Sequence, residues 1–389
     1  MKYGLVSAAY PPELDGIGDY TWWMAETLGA QNDIRVFTRK GLESRVRNVK
    51  VVSFFDESKA NSFASLMRHV KIWSEMEDET CWLILQYNPF SWGRRGFCPL
   101  VPYTLRAIKR LPKAPNIAVM FHETHVPRWP WKFMLMQIWQ KPLFRQMCRV
   151  ADIAFSSTEK YARQVHSVNP TLQCRALGVG SNVSLCELSQ VNARAVLGIP
   201  REILVLGVFG SAHISRRLDW IAQTLRAARE KRGEVILLYV GGHGQSVLAV
   251  CGSNGLIDAG IQDEMRVGLY LRAMDLILAP FSDGISSRRG SIMASLQHGI
   301  PVASTLHEES DQVFQGKVPA NLLLSKARSI HGFATDVSRW LSDCSWKPRV
   351  PCEELASFYE RHFSWGRIAG AMTTDLGDYC INKAELLKY

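Results

Sequence analysis

Short apolar segments alternate with helical patterns along almost the whole chain, and the alternation occurs twice. Six strand-like segments lie in the first half: YGLVSAA, IRVFT, VVSFF, CWLILQY, NIAVMFH and DIAFSS. Four more follow in the second half: ILVLGVFG, EVILLYVGG, LILAPF and GIPVAST. Strands that alternate with helices are typical of βαβ units and parallel sheets. The pattern therefore predicts an α/β protein with two doubly wound, Rossmann-like domains that face each other across a cleft.

The length of the chain also favours two domains, because 389 residues are too many for one compact core. Residues 181–194 are mostly polar and show little hydrophobic periodicity, and the strand pattern restarts after them. We therefore predict a first domain over residues 1–180, a linker over 181–194, a second domain over 195–362 and a last helix over 363–389.

The formal net charge of +10 predicts acidic partners such as nucleotides or phospholipid surfaces. The basic residues are spread along the chain without a zinc finger, helix-turn-helix or RNP-type motif, so we expect no nucleic-acid partner. The nine cysteines form no CxxC pair, which argues against a zinc site and a disulfide framework. No apolar run is long enough to cross a bilayer, and the first residues do not read as a signal peptide. We therefore expect a cytoplasmic protein, either free or peripheral at the inner face of the membrane.

Residues 279–305 read as a buried strand that opens through a polar glycine loop into a short helix. Ser286 or Ser287 can cap this helix. The positive end of a helix dipole normally repels cations, so Arg288 and Arg289 in the predicted first turn indicate an anionic ligand such as phosphate. The alternative is a pair of solvated arginines paired with surface carboxylates.

A second cationic loop follows the strand ILVLGVFG and leads into a helix whose predicted first turn holds Arg216 and Arg217. Both loops would contribute to one cleft, where fixed cations stabilise the charge that grows on a departing pyrophosphate. A solvated helix start is the alternative.

The loop after the first strand holds Gly16, Ile17 and Gly18, and Asp19 is the predicted cap of the next helix. Main-chain N–H groups in such a loop can cover a diphosphate, although the loop does not match GxGxxG and a plain βα turn is the alternative. His122 ends a strand, where it could donate a hydrogen bond to a sugar hydroxyl or exchange protons near neutral pH. A structural histidine is the alternative.

Residues 124–151 contain basic and aromatic side chains but no acidic residue. Within them, Trp129, Trp131 and Lys132 are predicted to form a surface for the acceptor, a lipid-linked phosphate or an anionic membrane. Burial of the aromatic side chains in the first domain's core is the alternative.

Taken in order, these segments resemble glycosyltransferases of the GT-B fold, and most closely family 4 of the retaining enzymes. The resemblance is carried by PPELDGIGDYTWWMAETL, FHETHVP, VFGSAHISRRLD, APFSDGISSRRGSIMASLQHGIPVAST and FSWGRIAGAM. It implies that the second domain binds a nucleotide-diphosphate sugar and that the first binds an acceptor glycan, a lipid-linked sugar or a small molecule. It further implies that the last helix crosses back onto the first domain, and that no cofactor and no metal ion are needed.

The resemblance also implies roles for individual residues. His122 matches the histidine near the donor sugar, and Arg216 occupies the position of a phosphate-binding lysine. The neighbouring arginine of the family corresponds to Ser211, and its pair of glutamates corresponds to Ser286 and Ala294. The predicted catalytic residues are His122, Arg216 and Arg288. The predicted donor-binding residues are Gly16, Ile17, Gly18, Gly210, Ser211, Arg217, Asp283, Gly284, Ser286, Ser287 and Arg289.

The function that the resemblance implies is retaining transfer of a sugar, in which the acceptor attacks from the face of the leaving group and the leaving phosphate helps to take its proton. Two alternatives remain. A sugar-nucleotide epimerase or hydrolase would admit water rather than an acceptor. A non-catalytic binding protein would keep the fold without turnover, and the absence of the two glutamates favours it.

Overall fold

The chain folds into two compact α/β units in the computed structural model, which describes residues 1–39, 47–53, 60–76, 79–127, 131–342 and 350–386. The first unit consists of Met1–Val179 and Trp365–Tyr389, and the second of Gly180–Ser364. The chain therefore leaves the first unit once and returns to it at its end.

The first unit contains a sheet of seven parallel strands in the order β3-β2-β1-β4-β5-β6-β7. The strands are β1 (Lys2–Val6), β2 (Ile34–Thr38), β3 (Val49–Ser53), β4 (Cys81–Tyr87), β5 (Asn116–Phe121), β6 (Ile153–Ser156) and β7 (Cys174–Ala176). The helices between them are α1 (Gly16–Gly29), α2 (Ala60–Glu75), α3 (Pro89–Trp92), α4 (Leu100–Ile108), α5 (Trp131–Val150) and α6 (Glu159–Val168), with a 3-10 turn at Arg94–Gly96. The central strands β4 and β5 are apolar along nearly their whole length, because helices cover both faces of the sheet.

The second unit contains six parallel strands in the order β10-β9-β8-β11-β12-β13. The strands are β8 (Leu204–Phe209), β9 (Val235–Val240), β10 (Leu256–Asp258), β11 (Leu276–Ala279), β12 (Val302–Thr305) and β13 (Leu322–Ser325). The helices are α7 (Gln190–Leu197), α8 (Leu218–Arg232), α9 (Gly244–Cys251), α10 (Glu264–Ala273), α11 (Gly290–Gln297), α12 (Gln312–Gln315), α13 (Ile330–Ser342) and α14 (Glu353–His362).

The last helix, α15 (Trp365–Leu386), belongs to the first unit. Its buried side chains Ile368, Met372 and Leu376 join the core on the face of the sheet that α1 also covers. Asp375 adds an ion pair with Arg175 at 2.9 Å.

The predicted linker, residues 181–194, lies inside the second unit, and its final residues are helical from Gln190. The polar appearance of this segment is misleading because Arg194 is buried. Its guanidinium donates to Asp275 Oδ2 at 2.7 Å and to the carbonyl of Ala273 at 2.9 Å. These bonds hold α7 against the second sheet, so the second domain begins earlier than the sequence pattern indicates.

Strand order reverses at one place in each sheet. In the first sheet the reversal lies between β1 and β4, and in the second between β8 and β11. Ligands of open α/β sheets bind outside the carboxyl ends of the strands at such a reversal. The loops that follow β8 and β11 are therefore the first place to look for a site in the second unit.

Candidate functional site

The loops after β8 and β11 are bonded directly to each other. Arg216 forms an isolated antiparallel bridge with Phe281. The Ser282 N–H donates to the carbonyl of Ser215 at 2.8 Å. The two cationic segments that the sequence placed 72 residues apart therefore form one site, as predicted for this half of the chain.

Arg216 is buried, with 6% of its surface exposed. Its Nε donates to the carbonyl of Ser211 at 3.2 Å and its Nη2 to the carbonyl of Phe209 at 2.8 Å. The remaining nitrogen, Nη1, is buried and has no hydrogen-bond partner among the described residues. Burial lowers the pKa of this guanidinium to about 10, and nearby Arg289 adds to the effect, so the side chain stays cationic at neutral pH.

Gly210 makes room for this arginine. Its φ angle is +97°, a conformation that favours glycine, and a Cβ at this position would lie 3.3 Å from Arg216 Nη2. The glycine after β8 therefore leaves space for the arginine side chain, and its predicted contact with the donor stays a prediction.

Arg288 and Arg289 are held by one carboxylate. The Arg288 Nη2 donates to Asp283 Oδ2 at 3.1 Å, and the Arg289 Nη2 donates to Asp283 Oδ1 at 2.6 Å. The Phe281 ring lies 4.0 Å from the Arg289 guanidinium and 5.0 Å from that of Arg216. We call Arg216, Arg288 and Arg289 the arginine cluster. Asp283 therefore bonds two of the three guanidinium groups of the cluster.

Arg217 does not join the arginine cluster. Its Nη2 donates to Asp219 Oδ2 at 2.6 Å, and its guanidinium lies 4.8 Å from the centre of the Trp220 ring. The side chain makes no capping bond to the helix that follows and is more than one-third exposed. Arg217 therefore lies outside the arginine cluster, and the prediction that it binds the donor is not supported by this geometry.

The helix α11 begins later than predicted. Arg289 is its N-cap residue and makes no side-chain capping bond, so Arg288 and Arg289 precede the first turn. The N–H and Oγ of Ser287 donate to Asp311 Oδ2 at 2.7 and 2.8 Å, which makes them partners of a carboxylate from another loop. The prediction that a serine caps α11 is therefore wrong, because Ser287 donates its hydrogen bonds to the carboxylate of Asp311 instead.

Ser286 and Gly284 flank the same turn. Ser286 is buried, and its Oγ has no hydrogen-bond partner within the described part of the chain. Gly284 has φ +78° and donates its N–H to the carbonyl of Phe281 at 3.2 Å. Ala294 is fully buried in α11.

Two residues of the site, His213 and Asp311, were not among the predicted ones. His213 lies in the loop after β8, and its Nδ1 accepts the Ser215 N–H at 3.2 Å. Burial, followed by the charges of Arg289 and Arg288, lowers its pKa. Its position between a strand end and Arg216 was a usable signal, whereas nothing in the local sequence connects Asp311 to Ser287.

The glycine loop of the first unit is the start of a helix. Helix α1 begins at Gly16, and its cap is Asp15 rather than Asp19. Asp15 Oδ1 accepts the N–H groups of Ile17 and Gly18 at 2.9 and 2.8 Å. These two N–H groups are bonded inside the helix cap, so the prediction that they cover a diphosphate is not supported by this geometry.

His122 follows the end of β5 and is 8% exposed. Its Nε2 lies 2.8 Å from Gln86 Oε1, and the Tyr20 ring meets the imidazole edge-on at 4.7 Å between centroids. Burial lowers its pKa to about 3, so the ring is neutral at physiological pH. The expectation of proton exchange near neutral pH is therefore wrong, whereas hydrogen bonding by the neutral ring agrees with the geometry.

The predicted acceptor or membrane surface is only partly described. Trp129 lies outside the described residues, and Lys132 lies in the first turn of α5. Trp131 is 67% exposed, so its burial in the core is excluded.

No group of three histidine, cysteine, aspartate or glutamate side chains is arranged to hold a metal ion within the described ranges. None of the helices in those ranges is both long and apolar enough to span a bilayer.

Comparison with known proteins gives matches in structure only, since no family model and no curated protein matches the chain. Sucrose-phosphate synthase from Thermosynechococcus elongatus is 14% identical at a TM-score of 0.72, covering 98% of this chain and 100% of that one. WaaG, a glycosyltransferase involved in lipopolysaccharide biosynthesis, is 13% identical at a TM-score of 0.65, covering 95% and 98%. Anabaena HepE, solved with UDP and glucose, is 13% identical at a TM-score of 0.67, covering 97% and 100%.

These likenesses extend over nearly the whole chain and establish its fold class. The protein has the GT-B fold, an α/β architecture with a parallel, Rossmann-like sheet in each of two units. The predicted fold class is confirmed. At such low sequence identity the comparison concerns the fold alone.

Proposed function

We propose that this protein is a retaining glycosyltransferase, similar to family 4, that takes a sugar from a nucleoside-diphosphate donor. The observation that carries the proposal is the arginine cluster at the strand reversal of the second unit. Guanidinium groups bind phosphate oxygens through paired hydrogen bonds, and the buried Nη1 of Arg216 offers an unused donor. The likeness in fold to a glycosyltransferase supports the same assignment.

Fixed guanidinium groups suit the transfer of a sugar from a diphosphate. Negative charge grows on the diphosphate as its bond to the sugar breaks, and cations fixed in a buried site stabilise that charge without reorganising. Arg216 and Arg288 would supply this stabilisation, and Arg289 would bind the same diphosphate. The leaving phosphate would take the acceptor's proton, so neither a protein base nor a metal ion is required.

Asp283 gives the arginine cluster an internal counter-ion. Its carboxylate bonds both Arg288 and Arg289, which keeps the two guanidinium groups oriented. A phosphate would compete with this carboxylate for the same nitrogens. Asp283 would therefore orient the arginines, rather than bind the donor itself as predicted.

The first unit would contribute a neutral histidine and the binding site for the acceptor. As a neutral ring His122 has one N–H, and with Nε2 donating to Gln86 Oε1 its Nδ1 would accept a hydrogen bond from a hydroxyl of the donor sugar. The acceptor would be a saccharide, a lipid-linked sugar or a small molecule.

A second candidate function is binding of a sugar nucleotide without turnover. Ser286 and Ala294 stand where the resembling family has glutamates, and neither side chain carries a charge. Ala294 is also fully buried, so no acidic side chain can act from that position. A non-catalytic protein of this kind would bind the sugar nucleotide at the same arginine cluster as the proposed transferase, but would not transfer the sugar.

Calorimetric titration tests the proposed donor site. UDP and UDP-glucose are the first ligands to use, because HepE was solved in complex with each, and GDP and ADP follow. Replacing Arg288 and Arg289 together by Gln should weaken nucleotide binding by at least about a hundredfold, since each charge-assisted hydrogen bond contributes about 1.5–3 kcal/mol.

The matched control replaces Arg217 and Arg226 by Gln. Arg217 bonds Asp219, and the exposed Arg226 bonds Gln223, so nucleotide affinity should change by less than about twofold. If the two double variants bound nucleotide with equal affinity, the arginine cluster would not be part of the donor site. Transfer to a panel of acceptors, measured as release of nucleoside diphosphate, then separates the transferase from the non-catalytic candidate.

A further inference from the structure

The positive charge of the protein is concentrated in one stretch of the first unit. Residues 80–151 contain eleven lysine and arginine residues and a single acidic residue, Glu123. The surplus of this stretch equals the net charge of +10 of the whole chain. The arginine cluster lies in the second unit, so the proposed donor site does not account for this surplus.

Helix α5 exposes apolar side chains along one face. Trp131, Met134, Leu135 and Ile138 are 67%, 57%, 53% and 69% exposed. Their spacing of three, four and seven residues places them on a single face of the helix. Further along the same helix, Arg145 and Arg149 are exposed.

Helix α4 has the same arrangement as α5, with exposed apolar side chains near its start and exposed arginines near its end. Leu100 and Tyr103 are exposed near its start, and Arg106 and Arg110 are exposed at and after its end. Both helices pack into the same core cluster, so they cover the same face of the sheet. Each connects two parallel strands, so they run in the same direction and their apolar starts lie at the same edge of the sheet.

An open pocket lies beside these helices. It is lined by Arg94, Arg95, Phe97 and Trp139 and has a volume of about 330 Å³. The Trp139 Nε1 and the Gln140 Nε2 donate to the carbonyl of Arg95 at 3.1 and 3.0 Å, which ties this turn to α5. The pocket therefore presents two guanidinium groups next to two aromatic rings.

We propose that α4, α5 and the Arg94–Gly96 turn form a surface that docks on an anionic lipid bilayer. We call it the basic–apolar surface. Exposed aliphatic side chains favour the acyl-chain boundary, and arginines bordering them favour anionic headgroups. Nucleic acid would use the arginines but not the aliphatic side chains. An apolar protein partner would use the aliphatic side chains but not the charge. The inference goes beyond the proposed sugar transfer and does not depend on it.

Vesicle flotation tests the docking. The full-length protein should float with phosphatidylcholine vesicles that contain about 30% phosphatidylglycerol, and binding should fall as salt is raised. It should not float with pure phosphatidylcholine. Equal binding to both vesicles, or binding to neither, would overturn the proposal.

Variants of the basic–apolar surface test which residues dock. Ile138→Glu should weaken vesicle binding at least about tenfold, whereas Ile261→Glu, at an equally exposed isoleucine of the second unit, should not. Replacing Arg145 and Arg149 by Gln should weaken binding about thirtyfold, since each basic residue at an anionic surface contributes about 1 kcal/mol. Replacing Arg226 and Arg328 by Gln is the matched control. All four variants should bind UDP as the unmodified protein does, which separates failure here from failure of the proposed donor site.

Trp131 reports the depth of docking directly. Lipids brominated near the glycerol backbone should quench the fluorescence of the unmodified protein more strongly than that of Trp131→Phe.

Two other binding partners of the basic–apolar surface would be detected by parallel measurements. If Ile138→Glu abolishes self-association in sedimentation velocity without lipid, the surface binds a second copy of the chain. If polyuridylate binds with the same variant pattern and vesicles do not, it binds nucleic acid. Either result would overturn the proposal.

Discussion

At the scale of single residues, burial lowers the pKa of two basic side chains with different outcomes. It lowers the pKa of Arg216 to about 10 and that of His122 to about 3. The first value lies above neutral pH and the second far below it. The same physical cause therefore leaves the arginine charged for binding an anion and leaves the histidine as a neutral hydrogen-bonding group.

The low pKa of His122 predicts a pH dependence of stability. In the unfolded chain the imidazole takes up a proton near its ordinary pKa of 6.5, whereas the folded protein does so only near about 3. The unfolded state therefore binds more protons between these values, so the stabilisation by neutral His122 is present above the ordinary pKa and is lost as pH falls. Between about pH 7.5 and about pH 5, the unmodified protein should lose about 2 kcal/mol more unfolding free energy than His122→Gln.

Urea unfolding at the two pH values, followed by tryptophan fluorescence, measures this difference. His298, whose pKa burial lowers to about 4, contributes equally to both proteins and cancels. An equal loss in the two proteins would show that His122 titrates normally in the folded state.

At the scale of elements, the start of α1 shows why two glycines of one loop differ. Gly18 is buried, and a Cβ there would lie 3.2 Å from backbone atoms of Ala9 and Tyr10, which cannot move aside as a flexible side chain can. Gly16 is exposed, and a Cβ there would meet nothing within 4 Å. One glycine allows the helix to approach the loop after β1, and the other has no packing role.

Alanine substitutions separate these roles. Gly18→Ala should destabilise the protein by about 1–3 kcal/mol, because the helix must move away from the loop. Gly16→Ala should leave stability unchanged or raise it by up to about 1 kcal/mol, because alanine favours the helix. Urea unfolding of the two variants side by side gives the comparison. If they were equally stable, close approach at Gly18 would not be the reason for the glycine.

At the scale of the whole molecule, the first unit is built from both ends of the chain. Met372 of α15 is fully buried in the core that also contains Tyr20 and Trp82. The first unit therefore reaches its complete core only when the last helix is present.

Truncation of the α15 side chains tests this dependence. Met372→Ala should cost about 2–5 kcal/mol through lost burial and the cavity left behind. Thr374→Ala, at an exposed position two residues further on, should change stability by less than about 0.5 kcal/mol. Limited proteolysis should cleave the first unit of Met372→Ala faster while fragments of the second unit persist. Faster cleavage confined to the second unit would contradict this account of the core.

The sequence alone was sufficient for the fold class, the central strands and the pairing of two cationic loops. Buried parallel strands are continuously apolar, so the hydrophobic pattern predicts them. Loops that follow neighbouring strands meet at one edge of the sheet, so the order of the strands predicts that the two cationic loops lie close together. The edge strands β7, β10 and β13 were missed, because three or four partly exposed residues leave too weak a pattern. Part of the predicted strand 51–55 lies outside the described residues.

Only the tertiary structure decided which polar groups meet. Asp283 orients two arginines, Asp311 takes the serine that was predicted to cap α11, and Asp15 occupies N–H groups that were assigned to a ligand. Arg216 and Arg217 are adjacent in sequence, yet one is buried and the other bonds Asp219. Hydrophobic periodicity is a property of a segment and survives in the sequence. A hydrogen bond or an ion pair depends on two side chains within a few ångströms, and only the fold brings them there.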